Sequence, residues 1–141
     1  MSDKKTRLDM LNRSRLFEGF TKRDLATMAL CATDVEHPKG RVVVQEGKPG
    51  VGFHLILDGS ARVTRSGRKV RSLGPGDSFG DIALIDGGPR SASVVAETHL
   101  RTLSFATWEF KPLVIEHPQL AYKLLLKLCA LLRETEKRPP I

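Results

Sequence analysis

Phe79-Gly80-Asp81-Ile82-Ala83-Leu84 is followed closely by Pro89-Arg90-Ser91-Ala92-Ser93-Val94. The first stretch reads as a glycine-led helical turn, the second as a lone arginine opening a strand of small residues. Gly80 lacks a Cβ and lets backbone approach a ligand closely. The N–H groups of Ile82 and Ala83, at the start of a short helix, point outward and favour an anion. Arg90 adds a permanent charge whose fork geometry matches phosphate oxygens. Together these groups suit the capture of one phosphate with a hydroxyl-bearing sugar beside it.

The two stretches closely resemble the phosphate-binding cassette of the cyclic nucleotide-binding domain family. That family includes the regulatory subunits of cAMP-dependent protein kinase, the bacterial catabolite activator protein and cyclic nucleotide-gated channels. Its pattern runs Phe-Gly-Glu-hydrophobic-Ala-Leu, a short loop, then Arg-small-Ala-small-Val. Asp81 stands where the family usually has glutamate. The resemblance extends over approximately residues 15–136, from Leu16-Phe17 through the glycine turns to the closing helices.

The resemblance implies a ligand-binding set of Phe79, Gly80, Asp81, Ile82, Ala83, Arg90, Ser91, Ala92 and Arg133. Arg90 would hold the phosphate and Asp81 the ribose 2′-hydroxyl. Aspartate is one methylene shorter than glutamate, so it must sit closer or use a bridging water. Ser91 can reach a phosphate oxygen or a guanine edge. It therefore does not decide the base; cAMP is the expected ligand and cGMP stays open. Ala83 and Ala92 are expected to keep the pocket narrow and to act through their backbone N–H groups, and Phe79 reads as core. In the family the last helix folds over the base as a lid and relays the signal, and from there Arg133 would reach the base edge.

Outward from the cassette, the period of the chain is two. Strands are expected at Arg41–Gln45, Phe53–Leu57, Ala61–Arg65, Lys69–Leu73, Ser93–Ala96 and Leu100–Phe105. Between them stand turn clusters at Glu46–Gly50, Asp58-Gly59, Ser66-Gly67 and Gly74–Asp77. Asp58-Gly59 is read as starting a hairpin. Helices are expected at both ends. The first covers residues 3–13. The second opens at a capping box, Thr21-Lys22-Arg23-Asp24, and ends near Cys31 or Ala32. After the strands, residues 107–116 carry a helical pattern that Pro112 should kink or break. His117-Pro118 marks a boundary, and Gln119 to about Glu136 is the longest helix, with residues 137–141 as a frayed tail. The fold class is α+β: an antiparallel, jelly-roll-like β-roll of about eight strands flanked by N- and C-terminal helices. Residues 1–141 are expected to form a single cyclic nucleotide-binding domain. Within it, 1–33 hold the N-terminal helices, 34–105 the roll with its cassette at 79–94, and 106–136 the C-terminal helices.

A chain of 141 residues fits one domain with a core that needs no disulfide or metal. Cys31 and Cys129 fall in apolar helical patterns and are expected as buried free thiols. No signal peptide is read at the start and no apolar run reaches membrane-spanning length, which places the protein in the cytoplasm with no membrane partner. The net charge is +7, which raises nucleic acid as a partner. Its positive residues are scattered, though, which fits a solvated basic surface.

Gly74, Gly76 and Gly80 do not match a dinucleotide fingerprint, because the third glycine is one residue late and no βαβ unit surrounds it. The four histidines are scattered, so no metal site is expected. No serine or cysteine has a recognisable nucleophile signature, and the chain is read as a sensor rather than an enzyme. Trp108 is expected in the core or capping the barrel. Leu124, Leu125, Leu128, Leu131 and Leu132 give the last helix a broad apolar face for packing on the roll or for a homodimer. Three alternatives accompany the sensor reading. The chain could be a fragment of a cAMP-responsive transcription regulator lacking its DNA-binding domain, since DNA binding is not expected of these residues alone. It could be a sensor that recruits an unidentified downstream effector protein. Or it could be a degenerate roll that no longer binds nucleotide and serves as an interaction scaffold, which the aspartate supports.

Overall fold

The computed structural model of the protein describes residues 4–49 and 52–136. The tail expected at 137–141 and Gly50 of the expected turn lie outside the described residues. Two four-stranded antiparallel sheets face each other. In the first the order is β1 (Ala32–His37), β8 (Leu100–Ala106), β3 (Gly52–Asp58) and β6 (Ser78–Phe79). In the second it is β2 (Val42–Val44), β7 (Ser93–Ala96), β4 (Ala61–Arg65) and β5 (Arg68–Leu73). Helices stand before and after: α1 (Lys4–Arg13), α2 (Lys22–Met28), α4 (Thr107–Glu116) and α5 (Pro118–Thr135), with α3 (Asp81–Asp86) between β6 and β7. The fold is the α+β roll expected of the sequence.

Local chemistry explains several element ends. Thr21 and Asp24 form a reciprocal capping box at α2: Asp24 N–H donates to Thr21 Oγ1 at 3.1 Å and Thr21 N–H to Asp24 Oδ2 at 3.2 Å. Lys123 of α5 pairs with the same carboxylate, tying the two helical ends of the chain together. Ser66 and Gly67 both take positive φ, 53° and 77°, which is what a two-residue hairpin turn between β4 and β5 requires. Pro118 stands at the start of α5, where its missing N–H costs nothing.

Two apolar cores follow from strand alternation. Phe53, Leu55, Leu103 and Phe105 face the helices and meet Phe17, Phe110 and Leu120. The Phe17 ring packs edge-on to Phe53 at 5.3 Å. Ile56, Ala61, Val63, Leu73, Val94 and Leu100 fill the space between the sheets.

Several expectations need correction. Asp58-Gly59 does not start a hairpin, because β3 pairs with β8 and β6 while β4 pairs with β5 and β7. The turn instead carries the chain from one sheet to the other. Gly59 sits at φ 89°, and a Cβ there would strike the His99 carbonyl. The roll also begins two residues early: a 3₁₀ turn at Ala29–Cys31 tightens the end of α2, and β1 starts at Ala32. Pro112 does not break α4, which runs on to Glu116. Proline removes one N–H there, whose partner would be the carbonyl of Trp108, a residue on the solvent side. Trp108 itself is 63% exposed rather than core. Cys129 is exposed; only Cys31 is buried, and burial pushes its thiol up to about 11. Among the described residues no helix is long and apolar enough to cross a membrane.

Candidate functional site

β6 ends at Phe79 and the chain turns through Gly80 at φ 91° into α3. A Cβ at Gly80 would collide with Arg90 Nη1 and with the Gly52 carbonyl, so only glycine lets the three segments meet. The first hydrogen bond of α3 runs from Leu84 N–H to Gly80 O at 2.9 Å. The N–H groups of Ile82 and Ala83 lie ahead of it, at the positive end of the turn.

Arg90 arrives from the other side. Its main chain is clamped both ways: Gly47 N–H donates to Arg90 O and Arg90 N–H to Lys48 O, each at 2.9 Å. The side chain is 8% exposed. Nη2 donates to Gly52 O at 2.7 Å, while Nε and Nη1 have no partner among the described residues. Burial lowers its pKa, though not enough to discharge an arginine. A buried donor without an acceptor costs about 1–3 kcal/mol. Two such donors on one guanidinium therefore call for an anion with at least two acceptor oxygens.

Asp81 stands at the head of α3 with Oδ1 buried and unpaired. Burial raises its pKa above the usual carboxylate range, partly offset by the charge of Arg15. This carboxylate holds an unused acceptor and gains from any hydroxyl or amine donor that reaches it.

Arg90 and Asp81 open onto a cavity of about 820 Å³ between the sheets, α3 and the loop after α1. Phe79, Gly80, Asp81, Ile82, Ala83, Arg90, Ser91 and Ala92 all line it. Arg133 stands apart, exposed in the last turn of α5 and absent from the lining.

A family model described as "Cyclic nucleotide-binding domain" matches residues 34–117, which cover nearly all of both sheets and the Phe79–Val94 segment of the cavity. The chain belongs to the cyclic nucleotide-binding domain family. Within that family it is 29% identical over 132 residues to a "CRP-like cAMP-activated global transcriptional regulator" of Mycobacterium tuberculosis, covering 90% of this chain and 59% of the relative. It is 32% identical over 114 residues to a "cAMP-dependent protein kinase regulatory subunit" of Aspergillus niger, covering 72% of this chain and 28% of that protein. The chain thus spans little more than half of the first relative and under a third of the second. Among solved structures, the N-terminal domain of a transcriptional regulator from Streptomyces coelicolor A3(2) superposes with a TM-score of 0.83 at 26% identity, over 94% of this chain and 99% of that one. Among the described residues there is no cluster of three or more metal-ligating side chains.

The cavity also rests on residues that sequence reading missed. The Gly52 carbonyl anchors Arg90, but a backbone acceptor leaves no mark in a sequence. His54 stacks on Phe79, with ring centroids 5.0 Å apart and planes at 27°. Its Nδ1 lies 2.7 Å from Ser104 Oγ, which is 2.9 Å from Thr102 Oγ1, which is 3.0 Å from His37 Nε2. This polar chain crosses the roll interior and supports the residue just before Gly80. Burial, then the charges of Arg90 and His37, push the His54 pKa down to about 3, so the ring is neutral. Its alternation with Phe53 and Leu55 was the available signal, since period two puts His54 on the inner face.

Proposed function

We propose that this chain is a regulatory module that binds a cyclic nucleotide, with cAMP as its ligand, and that it is a sensor rather than a catalyst. The observation that carries the reading is the buried Arg90 guanidinium with Nε and Nη1 unpaired. In this reading a cyclic phosphate accepts from those two donors and from the N–H groups of Ile82 and Ala83. Ser91 and Ala92 offer further N–H groups beside Arg90. The ribose 2′-hydroxyl donates to Asp81 Oδ1, which gives that carboxylate its missing partner. Phe79 packs behind the turn.

Binding favours one docking position of α4 and α5 by population shift. The physical link is the hydroxyl of Thr107, first residue of α4, which donates to the Ala83 carbonyl inside α3 at 2.9 Å. Closure of α5 over the cavity is what would carry Arg133 to the base. The outward face of α5 carries Tyr122, Leu125, Cys129 and Leu132 at alternating spacings of three and four, all exposed. That is the spacing of a helix-pairing seam, and it supports a homodimer through this helix. The cytoplasm is the proposed location, and the effector downstream is a partner protein or a DNA-binding segment of a longer chain.

Titrating cAMP, cGMP and AMP separately into the purified protein tests the reading. Heat of binding and a raised melting temperature with a cyclic nucleotide, but not with AMP, support it. A melting temperature unmoved by all three instead supports the second reading, a roll that serves only as an interaction scaffold, which the shorter Asp81 favours.

A further inference from the structure

Arg15 stands between two carboxylates. It lines the cavity together with Asp81. Its Nη2 donates to Glu134 Oε2, in the last turn of α5, at 2.7 Å. The main chain of Arg15 is held in place. Just before it, Ser14 is buried and its Oγ donates to Leu11 O at 2.6 Å. Just after it, Leu16 and Phe17 are fully buried. Only the side chain is left to choose a partner, and the side chains of Arg15 and Glu134 are both more than half exposed.

Asp81 is the acid of the cavity with an acceptor to spare. Asp77 Oδ2 already accepts from Gly74 N–H at 2.8 Å, and Asp86 Oδ1 from Gly88 N–H at 2.7 Å. Asp81 Oδ1 is buried with no donor among the described residues. The charge of Arg15 acts on this carboxyl and favours its ionised form. A guanidinium released by Glu134 would be drawn to Asp81 next, because a charge-assisted bond in a partly buried site is stronger than one in open water. There it would take up the carboxylate that a ribose hydroxyl needs.

We propose that Glu134 is a positioning residue for the ligand site: by holding Arg15 it keeps Asp81 free for the ribose 2′-hydroxyl. This rests on the reading of Asp81 as the sugar carboxylate. The size of the effect is bounded, since an exposed ion pair shifts an equilibrium by up to about fivefold.

Calorimetry with cAMP and with 2′-deoxy-cAMP, on the wild-type chain and on E134Q, R15Q and R15Q/E134Q, decides the matter. The wild-type chain should bind cAMP more tightly than 2′-deoxy-cAMP. E134Q should weaken cAMP about two- to fivefold and leave 2′-deoxy-cAMP unchanged, because that ligand has no hydroxyl to offer Asp81. R15Q/E134Q should bind each ligand as R15Q does. Glu134 is exposed, so circular dichroism should report an unaltered fold in E134Q. An E134Q chain that binds cAMP as the wild type does, or loses both ligands equally, overturns the role of Glu134 alone. So does a weaker affinity for cAMP in R15Q/E134Q than in R15Q. Equal affinity of the wild-type chain for the two ligands overturns the reading of Asp81 and this proposal with it. Binding of neither ligand to the wild-type chain overturns the reading of the Arg90 site as well.

Discussion

Thr107 and Ala83 join the cassette to the C-terminal helices: the Thr107 hydroxyl donates to the Ala83 carbonyl at 2.9 Å, from the first turn of α4 to the middle of α3. A ligand that draws α3 toward Arg90 pulls on this bond directly. Thr107→Val keeps the shape and removes the donor. It should cost about 1 kcal/mol of stability. It should also shrink the ligand-dependent change in amide exchange over residues 107–135 while leaving cAMP affinity within about threefold. Full retention of that exchange response would show that the coupling takes another route.

Asp81 gives a pH signature. Its folded pKa is raised by burial, and only the ionised carboxylate accepts from a ribose hydroxyl without donating. Cyclic nucleotide affinity should therefore be highest near neutrality and fall as the pH drops through that raised pKa, above the usual carboxylate range. Asp81→Asn should flatten the profile. Asp81→Glu should bind as tightly or tighter. A large loss on adding the methylene would mean that the carboxylate does not face the sugar.

His54 gives a separate signature in stability. Its folded pKa is depressed to about 3 from an ordinary 6.5. The unfolded chain therefore takes up a proton that the folded chain refuses. The stabilisation from a neutral His54 is complete above pH 6.5 and is lost as the pH falls toward 3. At about pH 4 the loss from this ring is on the order of 3 kcal/mol. Urea midpoints measured from neutrality down to about pH 4 should fall more steeply for the wild-type chain than for His54→Gln. Parallel slopes would exclude the ring as the cause.

Gly80 tests the close approach. Alanine there meets both a φ of 91° and the collision with Arg90 and Gly52. Gly80→Ala should destabilise by about 2 kcal/mol or more and abolish ligand-induced thermal shifts. A stable, binding-competent Gly80→Ala would show that the turn has slack.

Where function depends on local chemistry, the sequence was readable. The Thr21–Asp24 box, the Ser66-Gly67 turn and the leucine-rich α5 each involve residues a few positions apart. The cassette was readable for the same reason: Gly80, Asp81 and the head of α3 are contiguous, and Arg90 follows within ten residues. What escaped is long-range. The move of β3 and β4 into different sheets depends on partners in β8 and β7, about fifty residues away from β3 and about thirty from β4. Trp108 and Cys129 read as core by type, but α4 and α5 leave their outer faces uncovered.

Calorimetric titration of cAMP into the wild-type chain and into Arg90→Ala measures the role of the unpaired Nε and Nη1 donors of Arg90 most directly. Arg90→Gln, closer in size, serves beside it as a control for folding. The wild-type chain should bind, and both variants should lose at least tenfold in affinity while keeping the far-ultraviolet circular dichroism of the roll. Equal affinity in the wild-type chain and a folded Arg90→Ala would contradict the assignment of this cavity as a phosphate seat.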